Sequence, residues 1–201
     1  MKTGIIILAG GKGSRFGGRK QDLVFHEKPL WKHVYDTSIK VSDNVVVVGR
    51  DVSAGETRSG SVINGLNALA DDTDMVLFAE AARPLVTEKQ MKDLLFDNYP
   101  SKSFVMPLVN TVIGRDGTYY DRNKMYDLLV PQSFDYQLLK KAYLTGKYFD
   151  MTDETRVMYE EYGIKPKLIE TYQNLYKVTY QRDIAVLESI YQLLKEKNDN
   201  D

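Results

Sequence analysis

Residues 8–21 read LAGGKGSRFGGRKQ: five glycines and four cationic side chains within fourteen positions, directly after an apolar run. Glycine in a strand-to-helix loop lets backbone N–H groups approach phosphate oxygens with no Cβ in the way. Gly10, Gly11 and Gly13 are spaced for that, and Arg15 and Lys20 can add positive charge against a polyphosphate. The spacing is not that of the P-loop, which requires G-x-x-x-x-G-K-[ST]. Nor is it the dinucleotide fingerprint, because Phe16 stands where that pattern places its third glycine. The chemistry indicated is anion binding, and this stretch by itself leaves the anion open.

The loop needs elements to hold it. The run 4–9 (GIIILA), Asn44–Val48 and the run 74–79 (DMVLFA) read as buried strands, and 102–108 as a fourth. Helices are expected over 29–40, with proline in the first turn, over 59–70, with Val62, Leu66 and Leu69 on one face, and over 87–96, capped at Thr87. Strands alternating with helices imply a mostly parallel α/β sheet with helices on both faces, which binds ligands beyond the carboxyl ends of its strands. The glycine loop lies at that end of the first strand. Asp116-Gly117 between TVI and TYY signals a β-hairpin, which must rest on the body or on a partner subunit. Helices near 135–144 and 153–162, strands at Lys167–Glu170 and 175–179, and a long helix over 181–197 complete the expectation. Thr152, Asp153 and Glu154 read as a helix cap with an acidic first turn, and Gly163 as the matching stop.

The bulk numbers narrow the classes. The chain has 201 residues, 43% of them hydrophobic, a formal net charge of −1 and no cysteine. One domain spanning 1–201 is the default at this length. A near-neutral chain argues against a nucleic-acid binder, while the basic residues clustered before position 33 suit a small anionic ligand. No disulfide or thiolate metal site exists. The N-terminal apolar run is too short for a signal-peptide core, and no run is long enough to cross a bilayer, so a cytoplasmic protein is expected. His26 and His33 have no ligand partner at metal spacing and read as packing or surface residues, as do Trp31, Tyr159, Tyr162 and Tyr172. The polar residues at 197–201 read as a frayed tail.

The loop as a whole, L-A-G-G-x-G-x-R-F-G-G-x-K, resembles the signature of sugar-nucleotidyltransferase-like enzymes. Five further stretches follow in order: GETRSGSVINGL (55–66), EAARPL (80–85), DRNKMYDLLVPQSF (121–134), MTDET (151–155) and NLYKVTYQRDI (174–184). Together they resemble the 2-C-methyl-D-erythritol 4-phosphate cytidylyltransferase family and its relatives acting on ribitol or glycerol phosphates, across roughly residues 4–188. The resemblance implies a three-layer, Rossmann-like nucleotidyltransferase fold with a protruding β-hairpin arm over about 109–122. It implies attack of an acceptor phosphate on the α-phosphorus of CTP, with Mg²⁺ as cofactor and pyrophosphate as product. Arg15, Lys20 and Lys177 then match catalytic cations. Leu8, Ala9, Gly10, Gly11, Lys12 and Gly13 match the phosphate-holding loop, and Gly55, Glu56, Arg58, Ser61 and Ala81 the nucleotide wall. Glu80 matches a carboxylate near acceptor and metal. Arg83, Thr111 and Arg122 match acceptor-side residues, the last two on an arm that closes a partner's site in a homodimer.

Several positions depart from the family pattern. Ala79 and Glu80 stand where histidine and aspartate are usual, Asn110 where an aspartate precedes the arm threonine, and Val130 where a threonine precedes Pro-Gln. The deviations gather on the acceptor side, so cytidylyl transfer is better supported than any one acceptor. LAGGKGSRFGG with EKPLWKHV also resembles the N-terminal half of molybdenum-cofactor guanylyltransferases, although EAARP, VPQSF and NLYKVT belong to the cytidylyl branch. A non-catalytic nucleotide-binding module of the same fold is the remaining alternative.

Overall fold

The computed structural model describes residues 1–171 and 175–198, the last two without their side chains. Tyr172, Asn174 and the tail residues 199–201 lie outside the described residues. Six strands form one sheet in the order β10-β6-β9-β5-β1-β4, with β1 Thr3–Leu8, β4 Asn44–Val48, β5 Met75–Glu80, β6 Ser101–Pro107, β9 Tyr126–Asp135 and β10 Lys167–Glu170. β1 pairs in parallel with β4 and β5, and β10 with β6, while β9 runs antiparallel between β5 and β6. Among the described residues β9 alone reverses the direction, so the sheet is mostly parallel.

Alternation along the strands builds the layers, because successive side chains point to opposite faces. Ile6, Val46, Val48, Val76 and Phe78 pack on one face against Val62 and Leu66 of α2 (Arg58–Ala68), Leu139 of α4 (Tyr136–Leu144) and Met158 of α5 (Glu154–Tyr162). Ile5, Ile7, Val47, Met75 and Leu77 pack on the other against Val34 of α1 (Leu30–Ser38) and Met91 and Leu94 of α3 (Glu88–Leu95). Thr87 caps α3 in a reciprocal capping box with Gln90, and Gly163 ends α5 at φ 68°. A short hairpin of β2 (Val24–Phe25) and β3 (Lys28–Pro29) packs through Phe25 against Leu187 and Tyr191 of α6 (Asp183–Asn198).

Two expectations need correction. No strand forms at 175–179, whose chain is irregular. The Leu175 carbonyl accepts from the Arg83 guanidinium and the Val178 carbonyl from the Lys20 ammonium, while the Val178 N–H goes to the Ala82 carbonyl. Side chains and a loop thus take the groups a ladder would use. Conversely, β9 falls where the sequence suggested no strand. Pro131 disguises it, since proline cannot donate within a central ladder. The register jumps there from Gln132↔Ser103 to Leu129↔Phe104, and this irregularity absorbs the proline.

The expected hairpin forms from β7 (Val112–Ile113) and β8 (Tyr119–Tyr120), joined through Gly117 at φ 87°. Val109, Ile113, Tyr119 and Tyr120 are exposed along it. No helix among the described residues is long and apolar enough to cross a membrane.

Candidate active site

The register Leu8↔Glu80 and Leu8↔Val48 brings the carboxyl ends of β1, β5 and β4 side by side. The chain leaving each end walls a cleft of about 350 Å³. Its three glycines have different tasks. A Cβ on Gly10 would lie 2.2 Å from the Cβ of Ala54, so Gly10 lets this loop touch its neighbour. Gly13 sits at φ 66° with its carbonyl accepting from the N–H groups of Phe16, Gly17 and Gly18, which folds the loop on itself. Only Gly11 of the three opens onto free space, with nothing within 4 Å of an added Cβ. Gly11 thus leaves open space before its backbone, while the close approach at Gly10 and the positive φ at Gly13 also shape the loop. Gln21, which the sequence reading passed over, is buried and donates from Nε2 to the Gly11 carbonyl at 3.0 Å.

Charges converge at the floor. Glu80 ends β5, and both of its oxygens meet Lys177 Nζ, at 3.0 and 2.8 Å, while Oε2 also meets Arg83 Nε at 3.3 Å. Burial pushes the Glu80 carboxyl up, but Lys177, Arg83 and Arg58 outweigh it and hold it below the usual glutamate value. Arg83 is buried beneath the cleft, and burial lowers its guanidinium despite Glu80. Lys20 differs. Its Nζ donates to the Val178 carbonyl at 2.7 Å, and among the described residues no carboxylate forms an ion pair with it. Burial and then the positive charge of Lys177 outweigh the opposing negative charge of Glu80 and hold its ammonium below the usual lysine value, with Arg15 and Arg83 adding smaller pushes.

The opposite wall is the start of α2. Thr57 caps it by accepting from the Gly60 N–H, and Ser61 Oγ accepts from the Gly55 N–H at 3.0 Å, which pins the preceding loop. Arg58 faces Glu154, with Nη2 2.8 Å from Oε2. Burial opposes its charge, and Glu154 more than compensates, holding the guanidinium above the ordinary arginine value. Asp153, as expected, caps α5 by accepting from the Thr155 and Arg156 N–H groups. Glu154 in that first turn is fully buried and reaches back to the cleft wall, a role that spacing in sequence could not reveal.

Leu8, Ala9, Gly10, Gly11, Lys12, Lys20, Gly55, Glu56, Arg58, Ser61, Glu80, Ala81 and Lys177 all line this one cleft, joined by Gln21, Thr57 and Ala82. Arg15 is exposed beside it, close enough to act on Lys20. Thr111 and Arg122 lie on the exposed arm, where the Arg122 guanidinium donates to the Val109 carbonyl. Ala79 is buried in the core under the sheet end, so of the paired departures at 79 and 80 only Glu80 reaches the cleft. His26 stacks on Tyr191 and bonds Glu188 at 2.9 Å, and His33 bonds the Phe25 carbonyl at 2.6 Å.

Residues 51–193 match the family model described as IspD, 2-C-methyl-D-erythritol 4-phosphate cytidylyltransferase. A 2-C-methyl-D-erythritol 4-phosphate cytidylyltransferase of Endomicrobium trichonymphae is 32% identical, the alignment covering 94% of this chain and 99% of the relative. A D-ribitol-5-phosphate cytidylyltransferase of Xenopus tropicalis is 27% identical over 94% of this chain and 56% of its own length. The crystal structure of a 4-diphosphocytidyl-2C-methyl-D-erythritol synthase from Anaerococcus prevotii superposes with a TM-score of 0.79 at 21% identity, covering 95% of this chain and 98% of that one.

Proposed function

The chain belongs to the 2-C-methyl-D-erythritol 4-phosphate cytidylyltransferase family, and from that premise we propose that it transfers a cytidylyl group from CTP to a small phosphorylated polyol, releasing pyrophosphate. The observation that carries the proposal is Lys20: a half-buried cation that forms no ion pair with a carboxylate among the described residues, lining the same cleft as the open backbone at Gly11. In the reaction an acceptor phosphate oxygen bonds to the α-phosphorus while the bond from that phosphorus to the bridging oxygen of the β-phosphate breaks. No proton need be moved between carbon centres. The demand is to bring two anions together and to stabilise charge on the α-phosphoryl oxygens. Lys20, with Arg15 beside it, meets that demand on the loop side. Lys177 meets the acceptor phosphate on the other, with Arg83 behind it holding Glu80, and the wall at Gly55, Glu56, Arg58, Ser61 and Ala81 takes the nucleoside.

Magnesium fits this donor set. No group of three or more His, Asp or Glu gathers among the described residues to cage a metal. Magnesium, however, commonly takes one or two carboxylates and completes its shell with water and substrate phosphates, which Glu80 and a triphosphate together offer. The ion would neutralise polyphosphate charge. Glu80 would be the protein carboxylate that holds it, with Lys177 as the cleft-lining cation beside Glu80.

The acceptor is a methylerythritol, ribitol or glycerol phosphate type, with the two cytidylyltransferase relatives supporting the first two. The exposed apolar side chains of the arm support a homodimer in which Thr111 and Arg122 serve the partner's cleft. Pyrophosphate release from CTP, measured with Mg²⁺ against a panel of polyol phosphates and against the other nucleoside triphosphates, tests the proposal. Release with at least one acceptor, and faster with CTP than with GTP, is expected. No release with any acceptor overturns it. A carboxylate at position 80 already satisfied by Lys177 and Arg83 favours one second reading, a nucleotide-binding module without turnover, which the same assay distinguishes when paired with CTP binding.

A further inference from the structure

Three successive side chains tie the start of α2 to the segment that leads into α5. Thr57 Oγ1 donates to the Phe149 carbonyl at 3.3 Å, and Ser59 Oγ to the Met151 carbonyl at 2.7 Å. Between them the Arg58 fork meets both oxygens of Glu154. Glu154 has no solvent exposure, and its Oε1 also accepts from the Tyr143 hydroxyl at 3.2 Å. A carboxylate stays ionised so far from water only where charge and hydrogen bonds replace its hydration. Such a pair is weak evidence for stability, because apolar side chains of similar volume often serve as well. Its effect must be sought in what it does to Arg58, which lines the cleft although Glu154 does not.

After Glu154, the next carboxylate acting on Arg58 is Glu80, across the cleft floor. An Arg58 released from Glu154 would be drawn toward Glu80 and toward any polyphosphate, into the space between the walls. We propose that Glu154 is a positioning residue of the nucleotide site: by taking up the charge of Arg58 and fixing its planar fork, it dedicates Arg58 to the nucleoside end and leaves the polyphosphate to Lys20. This rests on the reading that the cleft binds a cytidine nucleotide. The two cations are then distinguished by their partners. Arg58 has a buried carboxylate and offers directed N–H groups. Lys20 has a carbonyl and keeps its charge available.

The test is calorimetric titration of the full chain with CTP, CMP and pyrophosphate, comparing the native protein with Glu154→Gln. Glutamine keeps the shape and removes the charge. The expected result is a loss of about tenfold or more in CMP and CTP affinity, the scale of one charged hydrogen bond, with pyrophosphate affinity within about twofold of native. Arg58→Met/Glu154→Leu removes the pair together, avoids a stranded buried charge, and should show the same loss for CMP, since two residues acting as a unit are not additive. Native CMP affinity in Glu154→Gln, or equal losses for CMP and pyrophosphate, overturns the positioning role. If Glu154→Gln does not fold, the double variant decides, and native CMP affinity there overturns it. A native protein that binds neither CTP nor CMP instead overturns the nucleotide reading of the cleft.

Discussion

Burial and the charge of Lys177 hold the Lys20 ammonium below the usual lysine value, so it loses its proton at a lower pH than an ordinary lysine. In the proposed reaction the charged form is the one that would stabilise an α-phosphoryl oxyanion. The sign follows: turnover is full below the lowered value and falls as pH rises through it, ahead of the usual lysine range. Lys20→Arg, whose guanidinium stays charged, should move that alkaline limb upward in a kcat/KM profile, while Lys20→Ala should lose at least about 10²-fold in kcat. A Lys20→Ala enzyme with native kcat would remove Lys20 from the mechanism. The glycines separate stability from binding. Gly11→Ala meets no atom within 4 Å, so its thermal midpoint should stay near native while KM for CTP rises. Gly10→Ala would drive a Cβ into Ala54 and should lower the midpoint as well. Thermal melts beside CTP kinetics on the two variants would show this, and an unaltered KM in Gly11→Ala would close the case against backbone approach there.

At the scale of elements, the N-terminus of α5 connects the sheet to the cleft wall at α2. Gln132 of β9 donates from Nε2 to Asp153 Oδ2 at 3.0 Å, and the other oxygen of Asp153 caps the helix that carries Glu154. Gln132 is buried, and its Oε1 has no partner among the described residues, so its amide depends on Asp153. Asp153→Ala loses a cap and strands that amide, and should cost about 2 kcal/mol or more. In a chain of this size that lowers the thermal midpoint by at least roughly 4 °C, with a parallel loss of CTP affinity as Glu154 loosens. Calorimetry that found a full loss of stability with native CTP binding would separate the cap from the wall. The helix stop at Gly163 and the cap at Thr87 were legible because they are local, each decided by a few neighbouring residues. Strand β9 was not, because its place between β5 and β6 depends on pairings 19 to 60 residues away in the chain.

For the whole molecule, the arm carries its apolar side chains away from the body. Ile113 is 53% exposed and Tyr119 75%, and a two-stranded ribbon is unstable by itself in water. The proposed homodimer would account for both facts. Tyr119→Glu with Ile113→Lys should convert a dimer into a monomer in sedimentation velocity. It should leave CTP binding intact, because the cleft of about 350 Å³ is lined without the arm, and lower kcat/KM for the acceptor. A native protein that sediments as a monomer, or a charged arm that leaves acceptor kinetics untouched, would count against an arm shared between subunits.

Sequence by itself determined the glycine loop after the first strand, the alternation of strand and helix, the hairpin and the family, because each is written in local spacing or in ordered motifs. Thirteen of the site residues so identified line one cleft, which follows from strand ends that a parallel sheet must bring together. Tertiary structure alone decided how charge is shared there. Glu80 and Lys177 are 97 positions apart, and Arg58 and Glu154 are 96 apart. Ion pairing acts through space at a few ångströms, so which cation is neutralised and which stays available has no signature in the order of residues. That partition separates Lys20 from Arg58, two basic residues that look alike in the sequence.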